Sequence, residues 1–108
     1  MPTKKLIVFC TAKDIEEGEK IANTLVHEHL AACVNIISGV RSIYRWKGKL
    51  EDEDEVLLLI KTSSDLFASL EEWIHELHSY EVPEIVAIEP SAISDTYESW
   101  WEECLGRP

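Results

Sequence analysis

Hydrophobic and polar positions along the chain predict four strands. Residues 5–11, KLIVFCT, form a short apolar run of the kind found in strands buried on both faces. Residues 33–46 are rich in β-branched and aromatic side chains, and Gly39 within them predicts a bulge or bend. A Lys-Gly pair then predicts a tight turn into a partner strand that ends near Thr62, and residues 83–90, PEIVAIEP, form a last strand bracketed by prolines.

Helical periodicity separates these strands. Asp14 with Glu17 three positions later predicts a capping box at the start of a helix, and apolar residues then recur three and four positions apart. Ser64 and Asp65 are the candidate N-caps of a second helix with the same spacing. A short third helix is expected after Ser94.

The order of elements is β-α-β-β-α-β with an additional C-terminal helix, in one domain covering residues 1–108. Two right-handed crossovers and a central hairpin predict an α+β, ferredoxin-like split arrangement with an antiparallel sheet. The first and third strands are expected in the middle of the sheet, and both helices on one face. The other face remains open, and its apolar side chains indicate oligomerisation.

The hairpin is too long for one compact subunit. A strand of about 14 residues would extend roughly 46 Å, whereas a domain of this size has a radius of gyration near 13 Å. Its outer half carries Ile43, Tyr44 and Trp46, which are typical of a contact surface between chains. We therefore expect the hairpin to project towards a neighbouring subunit.

Five consecutive acids at residues 51–55 suggest a metal site at first. A two-residue turn, however, places Arg41 opposite Asp54 and Tyr44 opposite Glu51, and alternation sends odd-numbered and even-numbered acids to different sides. The acids therefore do not all converge on one ion. A solvated or salt-bridged edge, which also blocks unwanted strand pairing, is the favoured interpretation over a metal site.

Composition excludes several classes of function. The chain has 108 residues, with 10 basic and 21 acidic side chains and a net charge of −11, which opposes nucleic acid and anionic membrane surfaces. Its longest apolar runs are far below the roughly 20 residues that span a bilayer. Three well-separated cysteines, Cys10, Cys33 and Cys104, favour free thiols in a reducing compartment, and we expect a cytoplasmic protein.

No motif of a known reaction is apparent. The chain has no P-loop, no G-x-G-x-x-G and no Ser-His-Asp pattern, so no enzymatic activity is predicted.

Four separated motifs carry a family resemblance: AACVN at residues 31–35, YRWKGKLEDEDEV at 44–56, IKT at 60–62 and HSYEVPEI at 78–85. In order and spacing they resemble the CutA divalent-cation tolerance proteins over essentially the whole chain. One departure is Ser79, where the family usually has proline. The resemblance implies a homotrimer whose long hairpins engage neighbouring subunits. It also implies a role in tolerance of copper and other divalent cations, with no firmly attached enzymatic reaction.

Cys10 and His78 are the candidate metal ligands. In the split arrangement Cys10 closes the first strand and His78 closes the second helix, at the same end of the domain, and the resemblance points to the same two positions. A thiolate with an imidazole suits copper or zinc. Cys10 is alternatively a small buried hydrophobe. Two protein ligands would leave any site weak, with further ligands from water or another subunit.

An inter-subunit cleft is the second candidate site. The motif positions expected to form the trimer interface and this cleft are Asn35, Tyr44, Trp46, Lys61, Tyr80, Glu81 and Glu84. The alternative function is therefore a non-catalytic signalling or scaffold module that binds a small molecule or a partner protein in such clefts.

Overall fold

The computed structural model describes residues 3–106, which form four strands and three helices. In chain order the elements are β1 (Lys5–Ala12), α1 (Ile15–His27), β2 (Cys33–Trp46), β3 (Lys49–Ser63), α2 (Phe67–Leu77), β4 (Val86–Ile88) and α3 (Asp95–Cys104).

The strands form one antiparallel sheet in the order β2-β3-β1-β4. The first and third strands are central, so the predicted ferredoxin-like arrangement is confirmed. Between Ile37 and Val40 the pairing of β2 with β3 shifts register, and Gly39 has a φ of 79° at this bulge. Lys47 and Gly48 both have positive φ, which is the backbone of a two-residue hairpin turn.

The main core lies between the helices and one face of the sheet. Alternate residues of β1 and β3 are buried there, including Val8, Cys10 and Leu58, against Ile21 of α1 and Ile74 of α2. Helix α1 approaches the sheet closely enough that a Cβ on Gly18 would lie 3.0 Å from Val56 Cγ2.

The opposite face of the sheet is only partly covered. Helix α3 covers one end of it, where Trp101 is buried and its Nε1 donates to the carbonyl of Thr62 at 3.0 Å. Elsewhere on this face Ile37, Val86 and Ile88 are each more than 40% exposed. The predicted open apolar face is therefore present in the single chain.

Two of the three helix starts follow the prediction. Asp14 caps α1 by accepting from the N–H of Glu17, and Ser94 caps α3. The prediction of Ser64 or Asp65 as the cap of α2 is wrong: Leu66 occupies that position and makes no side-chain capping bond. Residues 64–66 form a turn after β3 instead.

The β2–β3 hairpin extends the molecule to 46 Å along one axis, against 26 Å along the others. Ile43 and Leu50 on this arm are 62% and 71% exposed. Within residues 3–106, no helix has the length and apolar character needed to cross a bilayer.

Candidate functional site

A cleft of about 800 Å³ lies between the outer half of the β2–β3 hairpin and the loop at residues 79–84. Its walls combine carboxylates with aromatic rings. The carboxylates are Glu51, Glu53, Glu55, Glu81 and Glu84, and the rings are Tyr44, Trp46 and Tyr80.

Strand alternation explains which hairpin residues reach the cleft. Paired residues of antiparallel strands share a face, and the pairs are Tyr44 with Glu51 and Ser42 with Glu53, as the predicted two-residue turn requires. The even-numbered acids lie on the other face, where Arg41 forms two hydrogen bonds to Asp52 at 2.6 and 2.8 Å. The prediction that the five acids do not converge on one point is confirmed.

The odd-numbered acids are nevertheless more than a solvated edge. Glu55 is only 7% exposed, and its Oε2 accepts from the hydroxyl of Tyr80 at 2.6 Å. Tyr44 likewise donates to Glu53 Oε1 at 2.5 Å. The edge interpretation was therefore wrong for Glu55, because the 79–84 loop covers it, a long-range contact that local alternation does not reveal.

These hydrogen bonds keep the phenols protonated. The bond to Glu53 raises the pKa of Tyr44 to about 12, with smaller contributions from desolvation and the neighbouring carboxylates. Burial, followed by the bond to Glu55, raises the pKa of Tyr80 well above its ordinary value. Both tyrosines therefore act as donors that orient carboxylates.

Of the seven residues predicted for the trimer interface and its inter-subunit cleft, five line this cleft of the single chain: Tyr44, Trp46, Tyr80, Glu81 and Glu84. The other two lie elsewhere on the open face of the sheet. Lys61 Nζ donates to Asn35 Oδ1 at 2.7 Å and lies 5.5 Å from the ring of Tyr97.

The side chains of Cys10 and His78 both contact the carbonyl oxygen of Thr11. Cys10 is fully buried on β1, and the imidazole Nε2 of His78 is 2.7 Å from the carbonyl of Thr11, the next residue. The N–H of Tyr80 donates to His78 Nδ1 at 3.0 Å. Both ring nitrogens of His78 therefore already have a partner, so a metal ion at His78 must displace one of them.

The Cys10 thiol is also poorly prepared for a metal. Burial raises its pKa to about 12, and the nearby charges of Glu84, Glu17 and Glu55 add to the effect. A metal must therefore displace the thiol proton. Among residues 3–106 no group of three or more His, Cys, Asp or Glu side chains could hold a metal ion.

Comparisons with known proteins agree with the fold of the chain. A family model described as CutA1 divalent ion tolerance protein matches residues 6–104. The chain is 43% identical over 95 residues to the chloroplastic protein CutA of Arabidopsis thaliana, covering 88% of this chain but 52% of that protein. It therefore spans about half the length of this relative.

Two solved structures extend the comparison. The divalent cation tolerance protein Cut A1 from Thermus thermophilus superposes with a TM-score of 0.89 at 43% identity, over 92% of this chain and 96% of that one. The periplasmic divalent cation tolerance protein CutA from Archaeoglobus fulgidus superposes with a TM-score of 0.90 at 35% identity, over 94% and 98%.

Proposed function

The chain belongs to the CutA1 divalent ion tolerance family, and we propose that it binds divalent cations, copper foremost, as a homotrimer that serves metal tolerance. Family membership is the observation that carries cation binding. The role is non-catalytic, and it agrees with the names of the Thermus and Archaeoglobus proteins.

The exposed apolar surface of the single chain supports the trimer. Ile43 and Leu50 on the hairpin arm, and Val86 and Ile88 on the open face, are large hydrophobic residues that one subunit leaves 47–71% exposed. Apolar surface of this extent is characteristic of contacts between chains.

Cys10 and His78 are the proposed copper ligands. A sulfur and an imidazole nitrogen are the donors that copper prefers, and both residues adjoin Thr11 at one end of the domain. Since residues 3–106 of one chain offer no third ligand, water or a neighbouring subunit completes the coordination. Copper is therefore held weakly and exchangeably.

The assignment of Cys10 as a copper ligand is tested with copper(I), because copper(II) oxidises thiols and thiolates select copper(I). The full-length protein is titrated against a chromogenic copper(I) chelator, without oxygen and with ascorbate present. Cys10→Ser is expected to lose affinity, whereas the control Cys33→Ser keeps it, because Cys33 lies at the start of β2 opposite Lys61, away from Cys10 and His78. Equal affinity of wild type and Cys10→Ser, or no copper binding by either, refutes the assignment of Cys10.

The trimer is tested separately by light scattering at micromolar concentration. The expected mass is about 37 kDa, three times the 12.4 kDa of one chain. A mass near 12.4 kDa would contradict the trimer and the interpretation of the hairpin.

A second candidate function is supported by the cleft. Five of the seven predicted residues come together there, which favours a signalling or scaffold module that binds a small molecule or partner protein.

The cytoplasmic location remains a prediction. It is supported by the three free cysteines, whereas the relatives include chloroplastic and periplasmic proteins.

A further inference from the structure

Lys61 is a cation with no carboxylate partner on the open face of the sheet. It pairs with Ile7 of β1, and Ile7 pairs with Ile88 of β4, so the three side chains share this face. The Lys61 Nζ donates to Asn35 Oδ1 at 2.7 Å and lies 5.5 Å from the ring centre of Tyr97. It forms no ion pair with a carboxylate in the part of the chain that the structure describes.

Assembly changes the surroundings of this ammonium. In the proposed trimer, another subunit covers the apolar open face, on which Ile37, Val86 and Ile88 are exposed in the single chain. Water is then removed from Lys61 as well, and the burial of a charge without a counter-charge is costly. The amide oxygen of Asn35 is neutral, so a carboxylate of the neighbouring subunit is needed to compensate the charge.

The cleft has the opposite imbalance of charge. Five carboxylates line it, and Lys47 is the only basic side chain among the described residues that do so. Three of the five already have a partner: two accept from tyrosines, and Glu81 Oε2 lies 3.9 Å from Lys47 Nζ. Within residues 3–106, the side chains of Glu51 and Glu84 form no hydrogen bond or ion pair.

A cyclic trimer brings two such surfaces together. Each contact in the ring joins two different surfaces, because a subunit meets one neighbour with one side and the other neighbour with another. The open face with its cation and the cleft with its carboxylates are complementary in charge. Of the two carboxylates without a partner, Glu51 lies on β3 in the hairpin arm, which gives the molecule its 46 Å extent.

We propose that Lys61 of one subunit pairs with Glu51 of the next, so that the open face of each chain closes the cleft of its neighbour. The pair rests on the proposed trimer and adds to it the charged contact that orients the subunits. It uses neither Cys10 nor His78.

The test is charge reversal at both positions of the full-length protein, with trimer dissociation in increasing urea followed by analytical ultracentrifugation. Lys61→Glu and Glu51→Lys each place like charges in contact, so each is expected to weaken the affinity between subunits about tenfold or more. The double variant restores opposite charges and is expected to recover most of this loss. Should Lys61→Glu fail to fold, Lys61→Gln keeps a donor for Asn35, and it is expected to relieve the repulsion that Glu51→Lys causes.

Matched charge reversals on the helices separate this contact from the general effect of net charge. Lys20→Glu on α1 and Glu72→Lys on α2 alter exposed residues and are expected to leave trimer dissociation unchanged. The pair is overturned if neither combination with Glu51→Lys recovers affinity, or if the two helix variants weaken the trimer as much as the interface variants. Both of these results leave the wild-type trimer in place, whereas a wild-type mass near 12.4 kDa removes the trimer itself.

Discussion

Replacement of Glu17 by glutamine should destabilise the protein in a pH-dependent way. Glu17 is 8% exposed near the start of α1. Its Oε1 accepts from the N–H of Lys13 at 3.1 Å, and its Oε2 accepts from the N–H of Ser79 at 2.8 Å. This carboxylate therefore connects the first helix to the loop that lines the cleft.

The magnitude follows from the two main-chain donors. A hydrogen bond to a charged acceptor contributes about 1.5–3 kcal/mol. Glutamine keeps one acceptor oxygen, but its amide NH₂ would face the other N–H group, so one of the two bonds is lost. We expect Glu17→Gln to lower the free energy of unfolding by about 1.5–3 kcal/mol at neutral pH.

The pH dependence has a definite sign. Burial alone would raise the pKa of Glu17, but bonds from the Ser79 side chain and from the N–H groups of Lys13 and Ser79 lower it below its ordinary value of 4.5. Such a carboxyl stabilises the folded state fully above its unfolded pKa, and the contribution is lost as pH falls through the folded pKa. The difference between wild type and Glu17→Gln should therefore shrink below about pH 4.5.

Urea unfolding, followed by tryptophan fluorescence at one fixed protein concentration, measures this difference at pH 7 and about pH 3.5. Glu19→Gln is the control, because Glu19 is exposed on the same helix and should change stability by less than about 0.5 kcal/mol. An equal loss for Glu17→Gln at both pH values would refute the role of its charge. If Glu19→Gln lost as much stability as Glu17→Gln at pH 7, the role of the two Glu17 hydrogen bonds would be refuted.

Three further predictions concern single positions. Ser79→Pro removes the N–H that binds Glu17, and the stiffer unfolded chain recovers only about 0.4–1 kcal/mol, so we expect the free energy of unfolding to fall by about 1–2 kcal/mol. Urea unfolding measures this change, and an unchanged midpoint would contradict it. Gly18→Ala brings a Cβ to 3.0 Å from Val56 Cγ2, and we expect it to lower the thermal midpoint, because overpacking costs about 1–3 kcal/mol and the gain in helix propensity is about 1 kcal/mol. A raised midpoint would show instead that Val56 moves aside to accommodate the methyl group. Copper affinity through Cys10 should rise about tenfold per pH unit between about pH 6 and 8, because its thiol must lose a proton; a pH-independent affinity, after correction for the chelator, would exclude the thiolate.

Local sequence patterns were sufficient for most of the fold. The bulge at Gly39 and the Lys47-Gly48 turn both require positive φ, which glycine permits, and with the turn length known the register of the hairpin follows. The cap at Asp14 is similarly local. The cap of α2 was misplaced because Ser64 and Asp65 have the right side chains, while the chain continues through a turn to Leu66 before the helix begins.

The site was less predictable because it depends on contacts between distant segments. Glu55 and Tyr80 are 25 positions apart, and nothing in either segment indicates that one covers the other. Topology correctly placed His78 at the end of β1, but it did not show that Tyr80 already occupies the second imidazole nitrogen. Ser79 is the clearest case: in the sequence it is only a departure from the family pattern, whereas in the structure its N–H makes a bond that proline cannot.

The same loop belongs to both proposed sites, and this determines which variants are informative. His78 binds Thr11 through one nitrogen and the N–H of Tyr80 through the other, while the Tyr80 hydroxyl holds Glu55 in the cleft. A change at His78 would therefore disturb the cleft as well as the proposed copper ligand, and a loss of either kind of binding would have two explanations. The Cys10 thiol donates to the same carbonyl of Thr11 at 3.7 Å, and a serine hydroxyl at this position can also donate to it. Cys10→Ser is therefore the informative variant for copper, because it removes the sulfur and keeps a donor to Thr11, so that both bonds of His78 can stay in place.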